Sequence, residues 1–234
     1  MNWRIKWKDK KVIIGASIGG AVLITVIVIC SVLFSDFQAQ GYVKAILNQT
    51  FTGDVNAAAQ MTEGATEKEL YAQYEENINS FVEANVLSGI EVDEELKQKY
   101  VDVCKKIFKD MKYEVGEEKQ ADGGAYVVPV TYRPSDVFSK FHAAIQQERQ
   151  TLYTKVENGE YQGETQEEIN GQMQTEFLNN ACALFEQAHE TMEFGEEETM
   201  DFTVKKGEKG LYQLNAEEIG QFLMKIMRLD ENQD

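Results

Sequence analysis

The pattern of apolar positions divides the chain after residue 34. The apolar run that begins at Val12 and ends at Phe34 contains no ionisable side chain other than Cys30. At about 1.5 Å per residue, a helix of this length crosses a hydrocarbon core of about 30 Å. Basic side chains precede the run and Asp9 is the one acid among them, which favours a cytoplasmic N-terminus. The sequence predicts a cytoplasmic basic segment (1–11), a transmembrane signal anchor (12–34) and an extracytoplasmic domain (35–234) of a single-pass cell-membrane protein.

Two other processing routes begin with similar N-terminal patterns, and both stay open. A cleaved signal peptide has a shorter apolar region, about 7 to 15 residues, and a small-residue cleavage site that this run lacks. A lipoprotein would carry its lipid on Cys30, but Ile29 stands where a small residue is expected. The pattern therefore favours an uncleaved anchor with no lipid on Cys30.

Apolar residues then recur at helical spacing, interrupted by two stretches in which apolar and polar residues alternate. Capping-box pairs, Thr66 with Glu69 and Thr165 with Glu168, mark two helix starts. Helices are predicted over 35–51, 54–62, 66–86, 93–111, 135–156, 165–192 and 215–227. Strands are predicted over 112–117, 125–132, 198–206 and 211–214. Pro129 lacks a backbone donor, which indicates an edge position or a bulge.

This order of elements predicts an α+β fold: one N-terminal transmembrane helix, then helices packed on an antiparallel sheet of about two hairpins. Three stretches, GYVKAILNQTFTGDVNAAAQMTEGATEKEL, MKYEVGEEKQADGGAYVVPVTY and MDFTVKKGEKGLYQL, carry a resemblance. They resemble the first helices and the paired strands of NTF2-like (cystatin-like) extracytoplasmic domains, found in membrane-anchored Gram-positive envelope proteins. The resemblance implies a sheet that curves around a cavity.

The candidate ligand-binding residues are aromatic side chains that such a cavity would gather. They are Tyr126, Tyr132, Phe138, Phe141, Phe202 and Tyr212. Packing in the core is the other role that strand and helix periodicity gives these residues.

Charge and candidate chemistry narrow the function classes. Five of the 23 basic and one of the 40 acidic side chains precede residue 35, so 18 and 39 remain and the domain's formal charge is −21. This charge argues against nucleic acid as a partner. His142 and His189 have no metal-ligand spacing around them, and we expect no metal site, no cofactor and no catalytic residue. Cys104 and Cys182 lie on apolar helical faces, which favours buried free thiols and leaves a disulfide open.

These observations predict a non-catalytic binding or interaction module of the cell envelope. Its expected partners are the membrane, through residues 12–34, and an envelope protein or a small ligand. The alternative is a small-ligand-binding or enzymatic NTF2-like pocket domain, because one fold hosts both kinds of function.

Overall fold

Among the residues that the structure describes, four α-helices precede the first strand, and the later strands alternate with three more helices. The computed structural model describes residues 37–62, 64–87, 90–163, 165–207 and 211–229. The helices in these residues are α1 (Ala39–Thr52), α2 (Asn56–Met61), α3 (Glu67–Phe81), α4 (Glu94–Asp110), α5 (Val137–Glu157), α6 (Gln166–Glu190) and α7 (Ala216–Ile226). The strands are β1 (Lys112–Val115), β2 (Lys119–Gln120), β3 (Tyr126–Arg133), β4 (Glu198–Lys206) and β5 (Tyr212–Leu214).

Both predicted capping boxes are confirmed at helix starts. At α3 the Thr66 hydroxyl accepts from the Glu69 amide at 3.2 Å, and the Glu69 carboxylate accepts from the Thr66 amide at 2.9 Å. Thr165 and Glu168 make the same reciprocal pair at α6. Each pair satisfies backbone donors that have no partner within the helix. The hydrogen bonds from Thr66 lower the pKa of the Glu69 carboxyl.

The helix predicted over 66–86 changes its winding before it ends. α3 stops at Phe81 and continues as a π-helical turn, Val82–Val86, in which the Leu87 amide donates to the Val82 carbonyl. Asn85 is buried in this turn and donates from Nδ2 to the Phe81 carbonyl at 3.0 Å. In this turn the amide bonds to the carbonyl five residues earlier, one residue farther than in an α-helix, and Val82, Asn85 and Val86 remain buried.

The sheet is antiparallel in the order β1-β3-β4-β5, with β2 also paired to β3. The two predicted hairpins are thus joined through the β3–β4 pair, in which Val128 lies opposite Phe202. Side chains of alternate residues on these strands are buried beneath the helices. They are Val128, Val130, Tyr132, Phe202 and Val204. Alternate residues of β3 thus face the helices.

Pro129 lies inside the central strand β3, so the edge alternative was wrong. Its carbonyl accepts from the Gly116 amide at 2.8 Å, where β1 has ended and β2 has not begun. In an antiparallel strand the N–H and C=O of one residue point to the same neighbour. The donor that Pro129 lacks would thus face this break, which fits the bulge alternative.

The core lies between the sheet and the helices, and aromatic rings connect its parts. Phe222 of α7 contacts the rings of Phe51, Tyr132 and Phe202 at centroid distances of 6.0, 5.1 and 5.3 Å. α6 packs on both α5 and α4, and the buried Tyr100 hydroxyl of α4 donates to the Leu178 carbonyl of α6 at 2.9 Å. One large cluster of buried apolar residues therefore includes residues of both layers.

A polar contact joins α5 and α6 at the half of the pair that is remote from the sheet. Lys155 of α5 forms an ion pair with Glu176 of α6, and the Tyr161 hydroxyl donates to the same carboxylate at 2.8 Å. The hydrogen bonds from Lys155 and Tyr161 lower the pKa of the Glu176 carboxyl.

The predicted fold class needs one correction, which concerns the membrane helix. None of the helices in the described residues is long and apolar enough to cross a membrane. The described residues therefore have an α+β fold, with helices packed on an antiparallel sheet. The run over 12–34 on which that helix was predicted, and the segment 1–11, lie outside the described residues.

Candidate functional site

The six predicted ligand-binding aromatics separate into a buried set and a surface pair. Phe138 and Phe141 contact Phe185 in the core beneath α6, at centroid distances of 5.8 and 4.8 Å. Tyr132 and Phe202 contact the α7 ring instead, and the Tyr132 hydroxyl donates to Glu198 at 2.8 Å. These four residues line the packed core, so the structure does not gather all six around one place. Ligand contact through them stays a prediction.

Tyr126 and Tyr212 do come together, and a third ring completes the group. The Phe37 ring stacks on Tyr212 at 3.7 Å between centroids with the planes 2° apart. Tyr126 lies 5.8 Å from Phe37 and 5.9 Å from Tyr212, in tilted geometry. All three residues are half-buried. We call Phe37, Tyr126 and Tyr212 the aromatic rim.

Strand register places the rim at one end of the sheet. Tyr126 is the first residue of β3 and lies opposite Val204, while Tyr212 is the first residue of β5 and lies opposite Lys206. Both tyrosines lie on the face of the sheet that the helices cover, but at the end of that face. Each residue is therefore only half-buried.

The start of α1 holds the third ring in place. Phe37 precedes the N-cap Gln38, and its ring contacts Tyr42 at 5.9 Å. This is the hydrophobic-staple arrangement, in which a residue before the cap packs against the fourth helical residue. Gln40 adds two bonds: its amide donates to Glu118 at 2.6 Å and its Nε2 donates to the Val115 carbonyl at 3.1 Å. The N-terminus of α1 is thus tied to the sheet.

Sequence reasoning missed Phe37 as a site residue, because it was placed inside the helix predicted over 35–51. The spacing of Phe37 and Tyr42 around a polar cap was the signal that could have shown it.

The surroundings of Tyr126 favour the protonated form of its phenol. Nearby Tyr212, partial burial and Glu118 raise the pKa of Tyr126 above its ordinary value. The Lys206 ammonium lies 5.8 Å from the centroid of the Tyr212 ring, within reach of a cation–π interaction. The rim therefore offers aromatic faces, phenolic groups and one nearby cation, which suit stacking and hydrogen bonding.

The other described side chains that could bind a metal or take part in catalysis do not lie together at one site. Among the described residues, no group of three or more His, Cys, Asp or Glu side chains has metal-binding geometry. His142 contacts Gln146, and His189 pairs with Asp110 at 2.9 Å across the ends of α6 and α4. Each histidine is thus engaged in a helix-surface contact.

Both cysteines in the described residues are free thiols, as favoured from the sequence. Cys104 is fully buried, whereas Cys182 is half-buried. Burial raises the pKa of both thiols. The expectation of shielding is confirmed for Cys104 and is met in part by Cys182.

No family model matches the chain, and no curated protein matches it. Among solved structures, the chain is similar to the crystal structure of YcdA from Bacillus subtilis, provisionally described as a lipoprotein. The TM-score is 0.51 at 14% sequence identity, and the match covers 81% of this chain and 56% of that chain. At this identity the comparison shows a likeness of fold alone, and the chain spans little more than half of its neighbour.

The predicted single-pass localisation is corrected by two findings. The described residues contain no membrane-crossing helix, and the solved neighbour is described as a lipoprotein. Lipoproteins are held at a membrane by a covalently bound lipid instead of a spanning helix. The NTF2-like assignment receives no support from a family match and stays a prediction.

Proposed function

We propose that this chain is an envelope-associated binding or interaction module without catalytic activity. The observation that carries the proposal is the likeness of fold to YcdA, which is described as a lipoprotein of Bacillus subtilis. A protein of that description works at the membrane surface, where a globular domain meets other envelope components.

The chemistry of the domain's surface favours a binding function over a catalytic one. The aromatic rim offers rings and phenolic groups, which contact a ligand without needing a nucleophile or a general base. The strong negative charge of residues 35–234 suits an exposed, soluble domain that does not bind nucleic acid.

Cell fractionation tests the envelope association. The full chain, carrying a C-terminal epitope tag, is expressed in Bacillus subtilis, and membranes are separated from the soluble fraction. We expect the tag in the membrane fraction and its loss when intact protoplasts are treated with protease. A soluble chain that is protected from external protease until lysis would contradict the proposal.

Metabolic labelling with a fatty acid, in parallel, identifies the mode of attachment. Label that is present in the wild type and lost in Cys30→Ser would identify a lipid on that residue. Membrane recovery without label would exclude a lipid on Cys30, as the residue before it suggests.

A further inference from the structure

Three lysines lie at the same end of the sheet as the aromatic rim. Lys205 and Lys206 are the last residues of β4, and Lys119 begins the short strand β2 beside β3. All three side chains are exposed. Asp122 lies in the turn between β2 and β3, and the nearby Glu118 carboxylate already accepts from the Gln40 amide. These lysines stand out in a domain with a formal charge of −21.

These lysines differ from most lysines of the helices in having no acidic partner. Six helical lysines form ion pairs: Lys97, Lys99, Lys105, Lys106, Lys140 and Lys155. Lys119, Lys205 and Lys206 form no ion pair with any other residue in the part of the chain that the structure describes. Their charges are therefore available to an external anion.

The same end of the sheet is where the chain enters the domain. Phe37 is the first described residue, and its ring is stacked on Tyr212. Any attachment formed by the preceding residues thus reaches the domain at the rim. Phe34, the last residue of the apolar run, is three residues away, a reach of about 10 Å.

We infer that this end of the sheet, the aromatic rim with Lys119, Lys205 and Lys206, rests on an anionic phospholipid surface. Tyrosine rings with polar tips suit the membrane–water interface, where one end of the ring is apolar and the other is wet. Lysines near the surface are attracted by anionic headgroups, whereas the acidic remainder of the domain is repelled. Both effects orient the domain with α5 and α6 directed away from the bilayer.

The inference rests on the proposed envelope association, and the test separates the two. The full chain is incorporated into nanodiscs of phosphatidylcholine alone or of phosphatidylcholine mixed with phosphatidylglycerol. Exposed lysines are acetylated with a soluble reagent, and the rate at each site is read by mass spectrometry. We expect severalfold slower acetylation of Lys119, Lys205 and Lys206 in the anionic discs. Lys109, an exposed and unpaired lysine at the end of α4, serves as the control and keeps its rate.

A charge-reversed variant tests the cause of the protection. In Lys205→Glu/Lys206→Glu the protection of Lys119 by anionic lipid is lost, whereas Lys109→Glu retains it. Equal rates in both kinds of disc, or equal slowing of Lys109 and Lys205, would overturn the inference while leaving the envelope association intact. Failure of the chain to associate with either disc would instead contradict the proposed function and the inference with it.

Discussion

Gly53 joins α1 to α2 under a steric constraint that one substitution can measure. The residue has a φ of 69°, and its amide donates to the Gln49 carbonyl at 3.2 Å, which ends α1. A Cβ added here would lie 2.7 Å from Cε1 and 2.9 Å from Cδ1 of Tyr74, whose side chain is 5% exposed. Gly53→Ala therefore combines backbone strain with a collision against a buried ring.

A second glycine separates these two effects. Gly159 follows α5 with the same φ of 69°, and a Cβ there would meet no heavy atom within 4 Å. Gly159→Ala should lower the free energy of unfolding by the backbone cost alone, about 1 kcal/mol. Gly53→Ala should add an overpacking cost of about 1–3 kcal/mol, because the ring of Tyr74 must move. In a domain of this size each kcal/mol lowers Tm by about 2–4 °C.

Urea denaturation of the full chain in mild detergent, followed by circular dichroism, gives the two free-energy differences. Repeating Gly53→Ala in a Tyr74→Leu background should reduce its excess over Gly159→Ala, because the smaller side chain leaves room for the methyl group. Equal losses for Gly53→Ala and Gly159→Ala in the wild-type background would refute the packing of α3 against the end of α1.

Three further predictions concern the core and the helix pair α5–α6. With residue 30 changed to serine, a thiol reagent should modify half-buried Cys182 well before buried Cys104, and both at once after denaturation. Tyr100→Phe should lower the free energy of unfolding by about 1 kcal/mol, because a buried hydrogen bond is lost. The lowered pKa of Glu176 means that its contribution to stability is present above its ordinary pKa of 4.5 and is lost as the pH falls through the folded-state value. Glu176→Gln, which also weakens the contact with Lys155, should therefore flatten the acid limb of a stability-versus-pH curve measured by urea unfolding.

Each of these predictions has an outcome that would contradict it. Equal labelling rates for the two thiols in the native protein would mean that α4 or α6 packs on a different face. An unchanged unfolding midpoint for Tyr100→Phe would mean that the hydrogen bond from Tyr100 to α6 does not stabilise the fold. An acid limb that is equally steep in Glu176→Gln and the wild type would show that this carboxyl has the same pKa in the folded and unfolded states.

Local signals in the sequence predicted those elements whose ends depend on neighbouring residues. Thr66 and Thr165 define helix starts through bonds to residues three positions away, so the information is contained in a few consecutive letters. The alternation over residues 125–132 likewise predicted the strand β3. The end of α3 could not be predicted from the sequence. A π-helical turn depends on packing by distant elements and has no periodicity of its own.

The candidate site was predicted only in part, because its arrangement depends on contacts between distant segments. Tyr126 and Tyr212 were named as candidates because the NTF2-like resemblance implies a cavity, but their separation from Phe138 and Phe141 follows from the β3–β4 register and from the packing of α6. Such long-range pairing is not encoded in any single segment. Phe37 was missed because its role depends on stacking with a residue far along the chain.

Photo-crosslinking in living cells tests most directly whether the rim is the membrane-facing surface of an envelope-associated domain. p-Benzoylphenylalanine replaces Lys205, beside the rim, or Lys109, at the end of α4, in the full chain expressed in Bacillus subtilis. After irradiation, mass spectrometry of the purified protein identifies the adducts. The account predicts phospholipid adducts from position 205 and none from position 109. Lipid adducts of equal yield from both positions, or none from position 205, would contradict it.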